Sequence, residues 1–271
     1  MNPFKLMHRG VDSLRRFPVI RQTLQARFRR EFLHDPYARL FDGVYATFED
    51  ALRAAPTQKP TSYDNDESIE RYVRRQDIDE YDYPPLFWIT ESFNEGLRSV
   101  SEIGGSVGIK FYAFSKCTQF PEDVTWRVID VPAAVAMGRE LARKGNADRQ
   151  LSFSDDVGDA DGCDVMLCLG SLQFLPQTLA ELVASLEHRP TRIVVNTTPI
   201  HETRSFFTLH SMGTAICPYR VTSRKAFVDD MAKVGYRVRH SWLNTNKDMI
   251  LRFHNGFDVP HFSGFCFERN R

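Results

Sequence analysis

Hydrophobic and polar positions change rhythm near residue 98. Before it, apolar residues recur at steps of three and four, the spacing of one helix face. Val11, Leu14, Phe17, Ile20, Leu24 and Phe28 form such a stripe over residues 1–35, with Pro18 interrupting it. Helices are also expected at 47–55, 64–80 and 86–97, separated by Pro56, Pro60 and the Pro84-Pro85 break. Beyond residue 98, short apolar runs alternate with helical stretches. Strands are expected at 99–103, 126–129, 164–169 and 192–196, with helices at 109–115, 133–143, 179–187 and 224–234. The run Asp164-Val165-Met166-Leu167-Cys168-Leu169 has no polar alternation inside, as in a strand buried on both faces. Two final strands, 236–242 and 262–267, have no helix between them and are expected to pair antiparallel at the sheet edge.

This order predicts an α/β chain: a doubly wound, Rossmann-like sheet over residues 86–271, a C-terminal antiparallel strand pair, and an α-helical N-terminal extension over 1–85. The 271-residue length suits one large domain plus an extension. Lysine plus arginine and aspartate plus glutamate each total 35, so net charge gives no footprint for nucleic acid. Five scattered cysteines without CxxC spacing predict neither a disulfide framework nor a structural metal site. No apolar run is long enough for a membrane span, and no signal-like apolar core opens the chain, so a cytoplasmic location is expected. The basic stretch over 1–35 leaves weak peripheral contact with anionic lipid open beside a plain docking helix. Oligomeric state has no signature.

Candidate chemistry centres on Glu102-Ile103-Gly104-Gly105-Ser106-Val107-Gly108, which follows a strand and precedes a helix. Glycines there let backbone approach a ligand and adopt positive φ. Ser106 and Ile109 stand at the second and third glycine positions of GxGxxG, which argues against the dinucleotide fingerprint. Asp130, ending the next strand, offers a carboxylate able to accept two hydrogen bonds from a vicinal diol.

The segment Glu102–Gly108 resembles the first motif of class I S-adenosylmethionine-dependent methyltransferases, an acid followed by GxGxG, with Ser106 in place of the middle glycine. The resemblance implies S-adenosylmethionine as cofactor. It places Glu102, Gly104, Gly105, Ser106, Gly108 and Val131 at the cofactor, and Asp130 on its ribose hydroxyls. It places Ser154 and Asp155 at the adenine, and Gly170, Ser171 and Gln173 in the loop after the fourth sheet strand. The whole chain further resembles a family of bacterial methyltransferases often linked to surface-polysaccharide gene clusters. Tyr63-Asp64, the run from Tyr83 to Trp88 and the run from Cys217 to Val221 carry that likeness.

Methyl transfer is an in-line displacement, so residues beyond the strand carboxyl ends are the candidates for acceptor chemistry. His201 is the candidate general base, its ordinary pKa suiting neutral pH. Trp88, Tyr219 and Arg220 are candidates for the wall of an acceptor pocket, with Trp88 and Tyr83 as a lid. The expected activity is methylation of oxygen or nitrogen on a small molecule or sugar. Two rivals stand beside it: a nicotinamide-dependent oxidoreductase, and a non-catalytic module of surface-glycan assembly.

Overall fold

The computed structural model describes residues 18–73 and 77–270. The first half of the basic stretch, with Val11, Leu14 and Phe17, lies outside the described residues. Its second half is helix α1 (Pro18–His34), followed by β1 (Leu40–Tyr45), α2 (Phe48–Ala54) and α3 (Asp66–Val73). A 3₁₀ turn (Glu80–Asp82) leads into α4 (Tyr83–Asn94), where prolines occupy the first helical turn, whose N–H groups have no intrahelical partner.

The main sheet then builds as β2 (Ser99–Ile103), α5 (Ile109–Ser115), β3 (Thr125–Ile129), α6 (Pro132–Lys144), β4 (Leu151–Ser154), β5 (Val165–Leu169), α7 (Leu179–Ala184) and β6 (Arg192–Thr198). It closes with α8 (Arg224–Lys233), β10 (Tyr236–Asn244) and β11 (Phe262–Arg269). The spatial order is β10-β11-β6-β5-β2-β3-β4. The five strands from β6 to β4 run parallel, and β11 and β10 pair antiparallel at one edge. The expected Rossmann-like sheet and C-terminal strand pair are therefore present.

Both faces of the sheet are covered. On one, α7 and α8 place Leu179, Leu182, Phe227 and Met231 over Met166, Cys168, Ile193 and Phe265. On the other, α4, α5 and α6 place Ile89, Phe93, Phe114 and Val135 over Val128, Val165, Leu167 and Val194. This two-sided cover explains the lack of polar alternation in the central strands.

A second sheet was not legible in the sequence. The chain leaving β6 forms β7 (Ile200–His201), β8 (Phe206–Ser211) and β9 (Ile216–Ser223), which join β1 in the order β1-β8-β9-β7. The extension before residue 86 thus holds a strand as well as helices, and that strand pairs antiparallel with β8. Asp42-Gly43 inside β1 reads as a turn signal. Strand β8 is buried at nearly every position, so it lacks the period-two pattern. The helix expected over 64–80 is also shorter, ending at Val73 within the described residues. No helix among the described residues is long and apolar enough to cross a membrane.

Arg192, the first residue of β6, is 1% exposed. Its guanidinium donates to Ser92 Oγ (2.9 Å), Glu95 Oε2 (2.6 Å) and Glu268 Oε1 (3.0 Å), so α4 and the C-terminal strand meet on one buried charge. Removing one partner of a buried ion pair leaves the other charge uncompensated. Arg192→Ala is expected to cost about 3 kcal/mol, read from the urea unfolding midpoint, and Arg192→Lys to recover only part because it lacks the planar fork.

Candidate functional site

The turn after β2 reverses the chain between Ile103 and Ile109, at the carboxyl ends of the parallel strands. Gly104, Ser106 and Gly108 all have positive φ, at +73°, +54° and +85°. Serine in the left-handed region costs roughly 1 kcal/mol, yet Ser106 adopts the conformation a glycine would take. The remaining space is tight. A Cβ on Gly104 would overlap Ser171, one on Gly105 would overlap the Glu102 carboxylate, and one on Gly108 would press on Leu151.

The turn is clasped to the neighbouring strand end. Ser106 N–H donates to Asp130 Oδ2 at 2.6 Å, and Val131 N–H donates to Asp130 Oδ1 at 2.7 Å. Burial raises the Asp130 pKa above its ordinary value, while the two amides pull it back. Asp130 N–H in turn donates to Ser154 O at 3.1 Å, which brings the end of β4 alongside. Ser154 Oγ donates to Asp159 Oδ2 at 2.5 Å, and Asp155 beside it is exposed. Ser171 Oγ donates to Ile103 O, and Gln173 Nε2 donates to Gly170 O at 2.7 Å. Gln173 Oε1 is buried without a partner. Every residue expected at the cofactor therefore falls at the carboxyl ends of β2 to β5.

Two acids and one lysine lie beneath this turn. Glu102 is buried, accepts from Trp126 Nε1 at 3.0 Å, and is pushed up to about 7 by burial. Asp82, just before α4, accepts from Lys110 Nζ at 2.6 Å through Oδ2, while its Oδ1 is buried without a partner. Sequence reading missed this pair, because Asp82 looks like an ordinary loop acid ahead of Pro84-Pro85.

The strand ends carry further irregularity. Between Val195 and Thr198, β6 holds one residue more than β11 does opposite it, a bulge in which Thr197 takes φ +47°. Asn196 sits in that bulge. Its Oδ1 accepts from Trp242 Nε1 and Asn244 Nδ2, and its Nδ2 donates to Tyr81 O at 2.7 Å. From the extension, Asp64 Oδ1 accepts from Ala133 N–H at the start of α6, and Ile69 packs on Val107 of the turn. Tyr63 lies edge-on to Phe174, its hydroxyl 3.4 Å from His210 Nδ1. Burial depresses the His210 pKa to about 3, so its imidazole is neutral at physiological pH.

The acceptor-side expectations fare differently. His201 Nδ1 accepts from Thr203 N–H (3.1 Å) and Arg204 N–H (3.0 Å), which puts its proton on Nε2, 3.2 Å from Gly256 O. Both nitrogens hold a turn together, so this geometry leaves no lone pair for general base work. Trp88 packs under Arg192 and Arg239, by the amino ends of the strands and not over the cofactor residues. Tyr83 is exposed. Tyr219 is buried in the second sheet's core, 5.1 Å from the Phe174 ring. Arg220 donates to Pro176 O (2.5 Å) and lies over Phe207, with Glu181 and Glu49 acting on it only through space. Asp161, Glu187 and His188 stand within metal-binding reach of one another, all exposed. His188 is there paired to Asp161 at 3.0 Å.

A parallel sheet that reverses direction of winding between β2 and β5, with β11 antiparallel between β6 and β10, is the class I methyltransferase fold. The chain is similar in fold to magnesium protoporphyrin IX methyltransferase (ChlM) from Synechocystis PCC 6803, with 12% identity and a TM-score of 0.50 over 78% of this chain and 98% of that chain. It is also similar to the sugar N-methyltransferase KedS8 from Streptoalloteichus sp ATCC 53650, with 16% identity and a TM-score of 0.47 over 74% and 92% of the two chains. A third similar structure is 1,6-didemethyltoxoflavin-N1-methyltransferase from Burkholderia thailandensis, with 14% identity and a TM-score of 0.47 over 76% and 86%. No family model and no curated protein matches the chain.

Glu102 generates a prediction on stability. Its folded-state pKa near 7 exceeds its ordinary value of 4.5, so between those values the native state holds more protons than the unfolded chain. Stability from this group is therefore present below about pH 4.5 and lost as pH rises through about 7, by on the order of 3 kcal/mol in all. Glu102→Gln is expected to abolish that slope in denaturant titrations across the same pH span. An unchanged slope in the variant would place the titration elsewhere.

Proposed function

We propose that this chain transfers a methyl group from S-adenosylmethionine to an oxygen or nitrogen of a small molecule or sugar. The observation that carries the reading is the clasp of Ser106 and Asp130 at the turn of three positive-φ residues, within the class I strand order. The residues present fit that cofactor's chemistry. Each Asp130 oxygen spends one lone pair on an amide and keeps another for a ribose hydroxyl. Asp82 Oδ1, buried and unpartnered, is a spare acceptor for an ammonium group, and Glu102 is a second carboxyl near it.

When bound, S-adenosylmethionine supplies an electrophilic methyl on a sulfonium. The chain's own part is to hold, orient and exclude water. Gly104 and Gly105 keep the backbone free of side chains where the ligand approaches. Val131, Ser154 and Asp155 would flank the base, and Gly170, Ser171 and Gln173 would bound the methionine end. Tyr63 and Asp64 run from the start of α6 to the rings of Phe174 and His210. This segment, the extension before residue 86 and the second sheet would form the acceptor side. His210 replaces His201 as the polar group facing that side. An imidazole held neutral by burial accepts a hydrogen bond from an acceptor hydroxyl, whereas an amine nucleophile needs no base. The resemblance to the polysaccharide-linked family makes nucleotide-activated sugars the first acceptor panel.

Isothermal titration is expected to show saturable binding of S-adenosylhomocysteine and none of NAD, with Asp130→Asn weakening it at least about tenfold. Stabilisation by NAD alone would instead support an oxidoreductase. Binding without turnover on any panel would support a non-catalytic module. Because the ligand's ammonium group favours ionised Glu102, affinity is also expected to rise between about pH 6 and 8 and to lose that dependence in Glu102→Gln.

A further inference from the structure

The outer face of the second sheet carries a second concavity. A cleft of about 360 Å³ opens between α1, β1 and the chain following α2. That is within the size range of small-ligand sites. It is separate from the strand-end site because neighbouring residues of β8 point to opposite faces. Leu209 lines the cleft, while His210 stacks on Phe41 and faces Phe174 on the other side.

The lining combines an apolar floor with two opposite charges. Phe32, Leu33 and Leu209 form the floor, Asp42 and Tyr45 face in from β1, and Arg29 stands at the exposed rim. Gly43 between them has φ +80°, and a Cβ there would overlap the Tyr45 ring, so glycine is what lets that ring fold back against the strand. Among the described residues the Asp42 carboxylate has no side-chain hydrogen bond or ion pair. Burial raises its pKa, offset in part by His254 and Arg29 acting through space and by a hydrogen bond from the Gly43 backbone amide. A half-buried acid with no side-chain partner is costly to the fold that holds it, and its remaining lone pairs suit a ligand's ammonium group.

We propose that this cleft binds a free α-amino acid with an apolar side chain. The ammonium meets Asp42, the carboxylate meets Arg29, and the side chain rests on Phe32 and Leu209. A zwitterion satisfies both charges of the cleft at once, whereas a simple anion or cation leaves one unmatched. The apolar floor excludes a strongly polar side chain, since burying it without partners costs more than the contact returns. The proposal does not depend on the methyltransferase reading.

Calorimetric titration of the full chain with L-leucine and L-phenylalanine tests it. The expected result is saturable one-to-one binding, with N-acetyl-L-leucine, which lacks the ammonium, binding at least about tenfold more weakly. Asp42→Asn is expected to lower affinity by a similar factor while leaving the melting temperature unchanged or raised. Arg29→Gln, at the exposed rim, is expected to weaken binding without touching the core. Absence of saturable heat from both amino acids would overturn the proposal. So would equal binding of the acetylated compound, or wild-type affinity in both variants.

Discussion

The structure depends on a backbone constraint. Between Ile103 and Ile109 the chain must turn back while lying against the ends of β3 and β5, and it does so with positive φ at 104, 106 and 108. Close approach is what the turn achieves. Gly104 lies against Ser171, Gly105 against Glu102, and Gly108 against Leu151. A side chain at any of these would push a strand end away. The same turn aims the Ser106 amide at Asp130, and Asp130 in turn fixes the start of α6 and the end of β4. Four strand ends are thus set by one stretch of five residues.

Around that turn, two distant parts of the chain form one construction. Strand β1 pairs with β8, Lys59 reaches Gly213 O, Ile216 N–H donates to Pro60 O, and Ser68 bonds Thr214. Inward from there, Asp64 holds α6, Ile69 covers Val107, and Tyr81 O takes the Asn196 amide. The glycine-rich turn therefore has no fixed surroundings until both the extension and the segment after β6 are in place. In the free chain most of these contacts span more than a hundred residues, so their closure entropy must be met by the packing of the whole.

Six of the seven strands of the main sheet were legible because their signals are local, while the four-residue β4 was too short to read as one. A strand buried on both faces reads as a continuous apolar run, and a turn of glycines after a strand reads as a turn wherever it falls. Glu102 and Asp130 could be placed from those signals, and the Gly170–Ser171 loop from the family resemblance. The second sheet was not legible, because β1 breaks its own pattern with Asp42-Gly43 and β8 is covered on both faces by elements far away in sequence. Trp88 and His201 misled for a related reason. A tryptophan near a site and a histidine in a loop have the right chemistry, but only tertiary contacts decide where each points. Arg192 and Arg239 draw Trp88 to the opposite end of the sheet, and two amides and the Gly256 carbonyl occupy both His201 nitrogens.

Ser106 shows which departures from a motif matter. What that position supplies is an amide at a fixed place, and the amide is there whatever the side chain. Serine reaches the left-handed conformation at a strain of roughly 1 kcal/mol, small beside the several kcal/mol that separate folded from unfolded chains. A backbone-built site therefore tolerates such a change. The acceptor side follows the opposite rule. Tyr63, Phe174, His210 and Tyr219 meet there through their side chains, so each substitution alters the shape or polarity offered to a ligand. Cofactor recognition can persist while sequence drifts, whereas selectivity for the acceptor is written in residues that no short motif gathers.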